Sequence, residues 1–168
     1  MTQKEFINEL DEKGYSYEIQ GDKLVVTHEG DVYLNDLTSL PPGVEFKNGG
    51  TVMLNALTSI PPGVEFKNKE AVSLWDLTSL PPGVEFKNKG YVSLYALTSL
   101  PPGVEFKNGW YVDLRSLTSI SPGVEFRNKG DVNLDALIGG WFFEWKGNIE
   151  GIDSKRLLNL MIKRGMFI

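Results

Sequence analysis

Apolar residues recur along this chain on a period of twenty. Val-x-Leu triplets begin at Val32, Val52, Val72, Val92, Val112 and Val132. Leu-Thr-Ser-Leu or Leu-Thr-Ser-Ile follows, beginning at Leu37, Leu57, Leu77, Leu97 and Leu117. Val-Glu-Phe closes the unit at Val44, Val64, Val84, Val104 and Val124. The register never slips, which marks a repeat architecture. Inside each unit, Val-x-Leu and Val-Glu-Phe alternate with period two, so their apolar members face one side of a short extended segment. Leu57 to Ile60 and its copies form a third segment. Pro61-Pro62-Gly63 makes one corner, with proline setting φ and glycine free to take positive φ. Lys47-Asn48-Gly49-Gly50 and its copies make another. Proline returns every twenty residues, and no 3.6-residue apolar stripe lies between, so the units are not helical.

One such coil has too few inward side chains (Val52, Leu54, Leu57, Ile60, Val64 and Phe66) to stand alone. Stacking supplies the rest, through parallel ladders at about 4.8 Å per coil. The expected fold is mainly β. It is a single-domain parallel β-solenoid of 20-residue coils, wound right-handed by the usual crossover rule, with a short helix capping each end. The boundaries fall at 1–30 for an N-terminal cap, 31–138 for the solenoid and 139–168 for a C-terminal cap. Stacking in register creates ladders of like residues. Asn48, Asn68, Asn88, Asn108 and Asn128 are expected to stack at one corner and share side-chain amide bonds. The Glu45 to Glu125 and Lys47 to Arg127 ladders are expected to be solvated surface.

The ends carry their own signals. Thr2-Gln3-Lys4-Glu5 is a capping-box pattern. Phe6, Ile7 and Leu10 make an apolar stripe, and Gly14 suits the helix stop. Tyr15 to Ile19 alternates as a strand, Gln20-Gly21-Asp22 is a turn, and Leu24-Val25-Val26 is a degenerate first coil. His28 then falls in the asparagine column as a turn residue. At the other end, Trp141, Phe142, Phe143 and Trp145 bring bulk to close the core. Asp153 can N-cap a helix through about Arg164. Met166-Phe167-Ile168 then either tucks against this cap or makes a homodimer contact.

Composition narrows the function. The 168 residues include no cysteine and one histidine. That removes disulfides, thiolate chemistry and multi-histidine metal sites, so no cofactor and no metal are expected. The net charge is −5. Residues 1–36 hold nine acids against three lysines, residues 37–130 hold nine bases and eight acids, and residues 131–168 hold five of each. There is no basic stripe for nucleic acid. The acidic excess sits at one end, which disfavours DNA mimicry. No apolar run reaches the roughly 18 residues of a membrane span, and Met-Thr-Gln-Lys-Glu-Phe lacks the apolar stretch of a signal peptide. A cytoplasmic, non-membrane protein is expected.

The phrase Leu-Thr-Ser-Leu-Pro-Pro-Gly-Val, repeated with Val-x-Leu triplets, resembles leucine-rich-repeat-like proteins of bacteria and bacteriophages across residues 31–138. The resemblance implies a solenoid and a binding module or phage-encoded effector rather than an enzyme. Leucine-rich repeats place asparagine three residues after the Leu-x-Leu strand, where this chain has Leu37, Leu57, Leu77, Leu97 and Leu117. The asparagine ladder occupies another corner here, which favours a compact β-helix cross-section over an open horseshoe.

The repeats differ mainly in three outward columns. The residue before each valine runs Asp31, Thr51, Ala71, Tyr91, Tyr111, Asp131. The residue between Val and Leu runs Tyr33, Met53, Ser73, Ser93, Asp113, Asn133. The residue after Leu runs Asn35, Asn55, Trp75, Tyr95, Arg115, Asp135. Together they form one sheet face with aromatic residues grouped on it. Tyr33, Met53, Trp75, Tyr91, Tyr95, Trp110, Tyr111 and Arg115 are the candidate partner-binding residues, since such side chains concentrate at protein interfaces. The competing explanation is that stacked aromatics support neighbouring strands. No nucleophile–base constellation emerges, and the acids Asp113 and Asp135 lie on a flat mixed face. The expectation is a non-enzymatic protein-binding module, in the manner of a small phage-encoded inhibitor of a host or defence protein. Glycan binding and structural self-assembly are the alternatives.

Overall fold

A computed structural model describes residues 1–137 of the chain. It is a β-solenoid built on parallel ladders with a twenty-residue register, as the repeat dictates. The Val-x-Leu strands (Val32–Tyr33, Val52–Met53, Val72–Ser73, Val92–Ser93, Val112–Asp113 and Val132–Asn133) pair in sequence order as a six-stranded sheet. Each valine faces the valine of the next coil, as Val52 faces Val72. The Glu-Phe strands (Glu45–Phe46, Glu65–Phe66, Glu85–Phe86, Glu105–Phe106 and Glu125–Phe126) continue a second sheet. The third side, from the Leu-Thr-Ser-Leu segment, is the most weakly laddered. It pairs as Ser99–Leu100 with Ser119–Ile120 and as a single bridge from Ser59 to Ser79. The following proline lacks the N–H that would extend this ladder.

The inward positions are those the alternation selects. Val52, Leu54, Leu57, Ile60, Val64 and Phe66 are each 4% exposed or less. The phenylalanines of successive coils stack nearly parallel from Phe46 to Phe126, with ring centroids 5.0–5.5 Å apart. Gly43, Gly63, Gly83, Gly103 and Gly123 take φ of 75–84° at the Pro-Pro-Gly corner, which an L side chain would strain.

The N-terminal cap forms as the sequence predicts. Helix α1 spans Gln3–Glu12 and carries the capping box: Glu5 N–H donates to Thr2 Oγ1 and Thr2 N–H to the Glu5 carboxylate. Phe6 and Leu10 bury fully against the core, and Gly14 turns the chain at φ 71°. Strand β1 (Tyr17–Gln20) then pairs antiparallel with β2 (Lys23–Val26). Strand β2 pairs parallel with Glu45–Phe46, placing Val26 beside Phe46, so it is the degenerate first coil. The expected C-terminal helix and its aromatic cluster lie outside the described residues.

Two ladder expectations are corrected. The asparagines do not bond one another. Each Nδ2 donates to turn and neighbouring-coil carbonyls: Asn68 reaches Gly50, Glu70 and Ala71, at 3.0, 3.1 and 2.9 Å. The corner turns its backbone oxygens inward, and a buried carbonyl left unpaired is costlier than an amide ladder is favourable. The Glu–Lys ladders are not uniformly solvated either. Glu45 is 3% exposed. Lys23, Lys47 and Lys67 all reach its carboxylate, because β2 contributes a lysine of its own beside the first full coil.

Candidate interaction face

The outward side of the Val-x-Leu sheet carries all the residue types singled out from the sequence. A strand alternates its side chains, so positions two apart share this face. Trp75 and Tyr95 sit in the turn after the strand and are 56% and 50% exposed. Trp110 occupies the turn before the strand at 60% exposure. Tyr91 and Tyr111, half-buried, stack across adjacent coils with centroids 5.3 Å apart, and Trp110 meets Tyr111 edge-on at 5.6 Å. The structure therefore brings Tyr91, Tyr111 and Trp110 into one aromatic group.

On the other flank, Arg115 lies over the Tyr95 ring, with Cζ 4.9 Å from the centroid. Its Nε donates to both Asp113 carboxylate oxygens, at 3.0 and 3.1 Å, and its terminal nitrogen also bonds Oδ2. Asp113 holds the guanidinium through Nε and a terminal nitrogen while its carbon sits over the Tyr95 ring, and the carboxylate keeps Arg115 above its usual pKa. Burial, and then Asp113, push the Tyr111 hydroxyl up. Trp75 does not join the stack: among the described residues it has no ring contact and no cation over it.

The central column differs from the expectation that all three columns point freely outward. Ser73, Ser93 and Asp113 are 3%, 7% and 4% exposed. Two of the three are held by a neighbour. Ser73 Oγ donates to Asn55 Oδ1 at 2.7 Å, and Asp113 is taken up by Arg115. Tyr33 stands apart, at the N-terminal end. Its hydroxyl donates to Asp31, whose other oxygen accepts from Thr51 N–H, and its backbone N–H donates to the Tyr15 hydroxyl. Met53 is half-buried between these two regions.

Sequence reasoning missed two supports of this face. The first is the Asp113–Arg115 clamp. Opposite charges two residues apart on a strand share a face, and that spacing was the available signal. The second is the room made for Trp110. A Cβ on Gly109 would stand 1.9 Å from the Lys89 carbonyl oxygen, and one on Gly130 would stand 2.9 Å from Trp110 Cδ1. Gly130, one coil after Trp110, leaves free the space that a Cβ would take from the Tyr111 and Trp110 backbone and from the indole, whereas Gly109 answers to the close backbone approach of Lys89, as Gly49 does to Glu29.

His28 serves as the corner residue expected. Its carbonyl accepts from Gly49 N–H at 2.7 Å, and its ring meets Tyr15 edge-on at 5.0 Å. No group of three or more metal-ligating side chains, and no helix long and apolar enough to cross a membrane, occurs among the described residues. Comparison with protein-family models, curated proteins and solved structures finds no match to this chain.

Proposed function

We propose that the protein is a non-enzymatic binding module that engages a protein partner through the aromatic side of its Val-x-Leu sheet. One observation carries this reading. Trp75, Tyr95 and Trp110 are each at least half exposed, on the face where the coils differ from one another. Isolated exposed apolar residues need no explanation, but large aromatics gathered on one rigid face do. Against catalysis stand the lone histidine, the lack of cysteine and the engagement of Asp113 by Arg115. Within this reading the Leu-Thr-Ser-Leu-Pro-Pro-Gly-Val repeat relates the chain to leucine-rich-repeat-like proteins of bacteria and phages. Its role is then that of a small cytoplasmic inhibitor that occupies a host or defence protein.

The test is capture of partners from bacterial lysate by the tagged full chain and by a Trp75→Ala/Tyr95→Ala double variant. The wild type should retain one protein that the variant loses, with Kd weakened about 30- to 800-fold, or roughly 2–4 kcal/mol. Both side chains are mostly solvent-facing, so the melting temperature should stay close to wild type. Equal capture by both proteins would reassign the aromatic residues to supporting the sheet.

A further inference from the structure

Two coils of the asparagine corner carry a dipeptide that the others lack. Asn48 and Asn108 are each followed by glycine, whereas Asn68, Asn88 and Asn128 are followed by lysine. The corner requires the asparagine, and crowding requires the glycine: a Cβ at Gly49 would stand 1.8 Å from the Glu29 carbonyl oxygen, and one at Gly109 1.9 Å from that of Lys89. Asparagine before glycine is chemically labile in an open chain, because no side chain obstructs the glycine nitrogen. That nitrogen passes its proton to hydroxide and attacks the asparagine Cγ. The bond from Cγ to Nδ2 breaks, and the amide leaves as ammonia with a proton from water. Water then opens the succinimide ring at either carbonyl, giving aspartate or isoaspartate.

The corner restrains every party to this reaction. The attacking nitrogens are engaged: Gly49 N–H donates to the His28 carbonyl at 2.7 Å and Gly109 N–H to the Asn88 carbonyl at 2.9 Å. The leaving amides are held by three carbonyls each. Asn48 Nδ2 reaches those of Gly30, Gly50 and Thr51, and Asn108 Nδ2 those of Gly90, Trp110 and Tyr111, all at 3.0–3.2 Å. Both side chains are buried, away from the water that completes the conversion. The preceding coil supplies the acceptor of each glycine and one acceptor of each amide, so these restraints are lost together when coils part.

We propose that Asn48 and Asn108 are spontaneous deamidation sites gated by coil separation, and that conversion makes a transient opening permanent. The permanence follows from the product. A carboxylate oxygen replaces Nδ2 and faces three carbonyl oxygens, and among the described residues no donor reaches Oδ1 of either side chain. A carboxylate can only accept, so a charge is buried with neither oxygen paired. Isoaspartate adds a methylene to the main chain as well, which breaks the register of the turn with the coil before it. At Asn108 the damage extends to the aromatic group, because its amide holds the Trp110 and Tyr111 carbonyls. None of this depends on what the aromatic face binds.

The full chain can be incubated at mildly alkaline pH in buffer and in concentrated urea, and its peptides mapped by mass spectrometry with isoaspartate separated from aspartate. In urea, Asn48 and Asn108 should convert several-fold faster than Asn68, Asn88 and Asn128, whose following lysines obstruct the attack. In buffer both should slow at least about tenfold, since only the open fraction reacts. Phe6→Ala, which uncovers the first coil, should speed conversion at Asn48 and leave Asn108 unchanged. The converted chain, returned to buffer, should melt at a lower temperature than a chain passed briefly through urea. Equal rates in buffer and urea would show that the corner gives no protection and would overturn the proposal. So would conversion in urea no faster at Asn48 and Asn108 than at the other three asparagines, or a converted chain that regains the full melting temperature.

Discussion

Glu45 shows how one residue departs from its own repeat. Its counterparts Glu65, Glu85, Glu105 and Glu125 are half-exposed or exposed, whereas Glu45 lies under Lys23, Lys47 and Lys67. Burial by itself would raise its pKa, but the three lysines outweigh that and hold it at about 2. A carboxyl depressed in the folded state stabilises the protein above its unfolded pKa, near 4.5, and loses that contribution as pH falls toward 2. The contribution at neutral pH is about 2–3 kcal/mol, since the lysines are partly solvated and screened. Glu45→Gln should therefore flatten the dependence of urea stability on pH between about 4.5 and 2. Equal slopes in wild type and Glu45→Gln would show that the lysine cluster does not couple to folding.

At the scale of the element, each coil is too small to hold itself, and the contacts that matter run between coils. The phenylalanine column is the clearest case, since Phe86 stacks on Phe66 and Phe106 with centroids 5.5 and 5.2 Å away and is fully buried. Phe86→Ala should cost about 3–5 kcal/mol in denaturant unfolding, because neighbours tied into two ladders cannot close over the cavity. A loss under about 1 kcal/mol would mean that the coils relax independently. The asparagine corner works on the same principle with polar atoms, each Nδ2 collecting carbonyls from its own turn and from the coil before. This column and the Pro-Pro-Gly corner are nearly invariant because every coil must place the same atoms over the same atoms. The outward columns meet no such demand, and there the sequence is free to vary into Trp75, Tyr95 and Arg115.

For the whole molecule, the question is how an open stack ends. At the N-terminus, β1 covers the outer edge of β2 by antiparallel pairing, while Phe6 and Leu10 of α1 close the interior. An uncovered parallel edge invites pairing with another copy. Phe6→Ala should cost about 3–5 kcal/mol and open the first coil before the rest, because repeats of this kind lose stability locally. Hydrogen exchange should become fast at Val25 and Val26 first, and light scattering should rise with protein concentration. Uniform exchange and an unchanged monomer would show that α1 is dispensable as a cap.

Much of this was legible in the chain alone. The twenty-residue period dictates coil length, register and the inward set, because a parallel stack can bury apolar residues only if each coil repeats the last. The capping box and Gly14 dictate α1 through local hydrogen bonds. The candidate face was legible as a contrast, since positions that vary on a regular scaffold stand out against those that geometry holds constant. Tertiary structure decided what depends on neighbours from other coils. It buried Glu45 because a lysine from the hairpin arrives beside it, and sent the asparagine amides to backbone carbonyls because the corner turns those oxygens inward. It buried Ser73 and Ser93, and gave Arg115 to Tyr95 and Asp113 while leaving the Trp75 ring without a ring partner or a cation. Several of these outcomes join atoms about twenty residues apart in sequence and one coil apart in space, as Lys23 and Lys67 with Glu45, and others join residues two apart, as Asp113 with Arg115. A period predicts that those atoms meet; which of them bond follows from their directions once the coils are stacked.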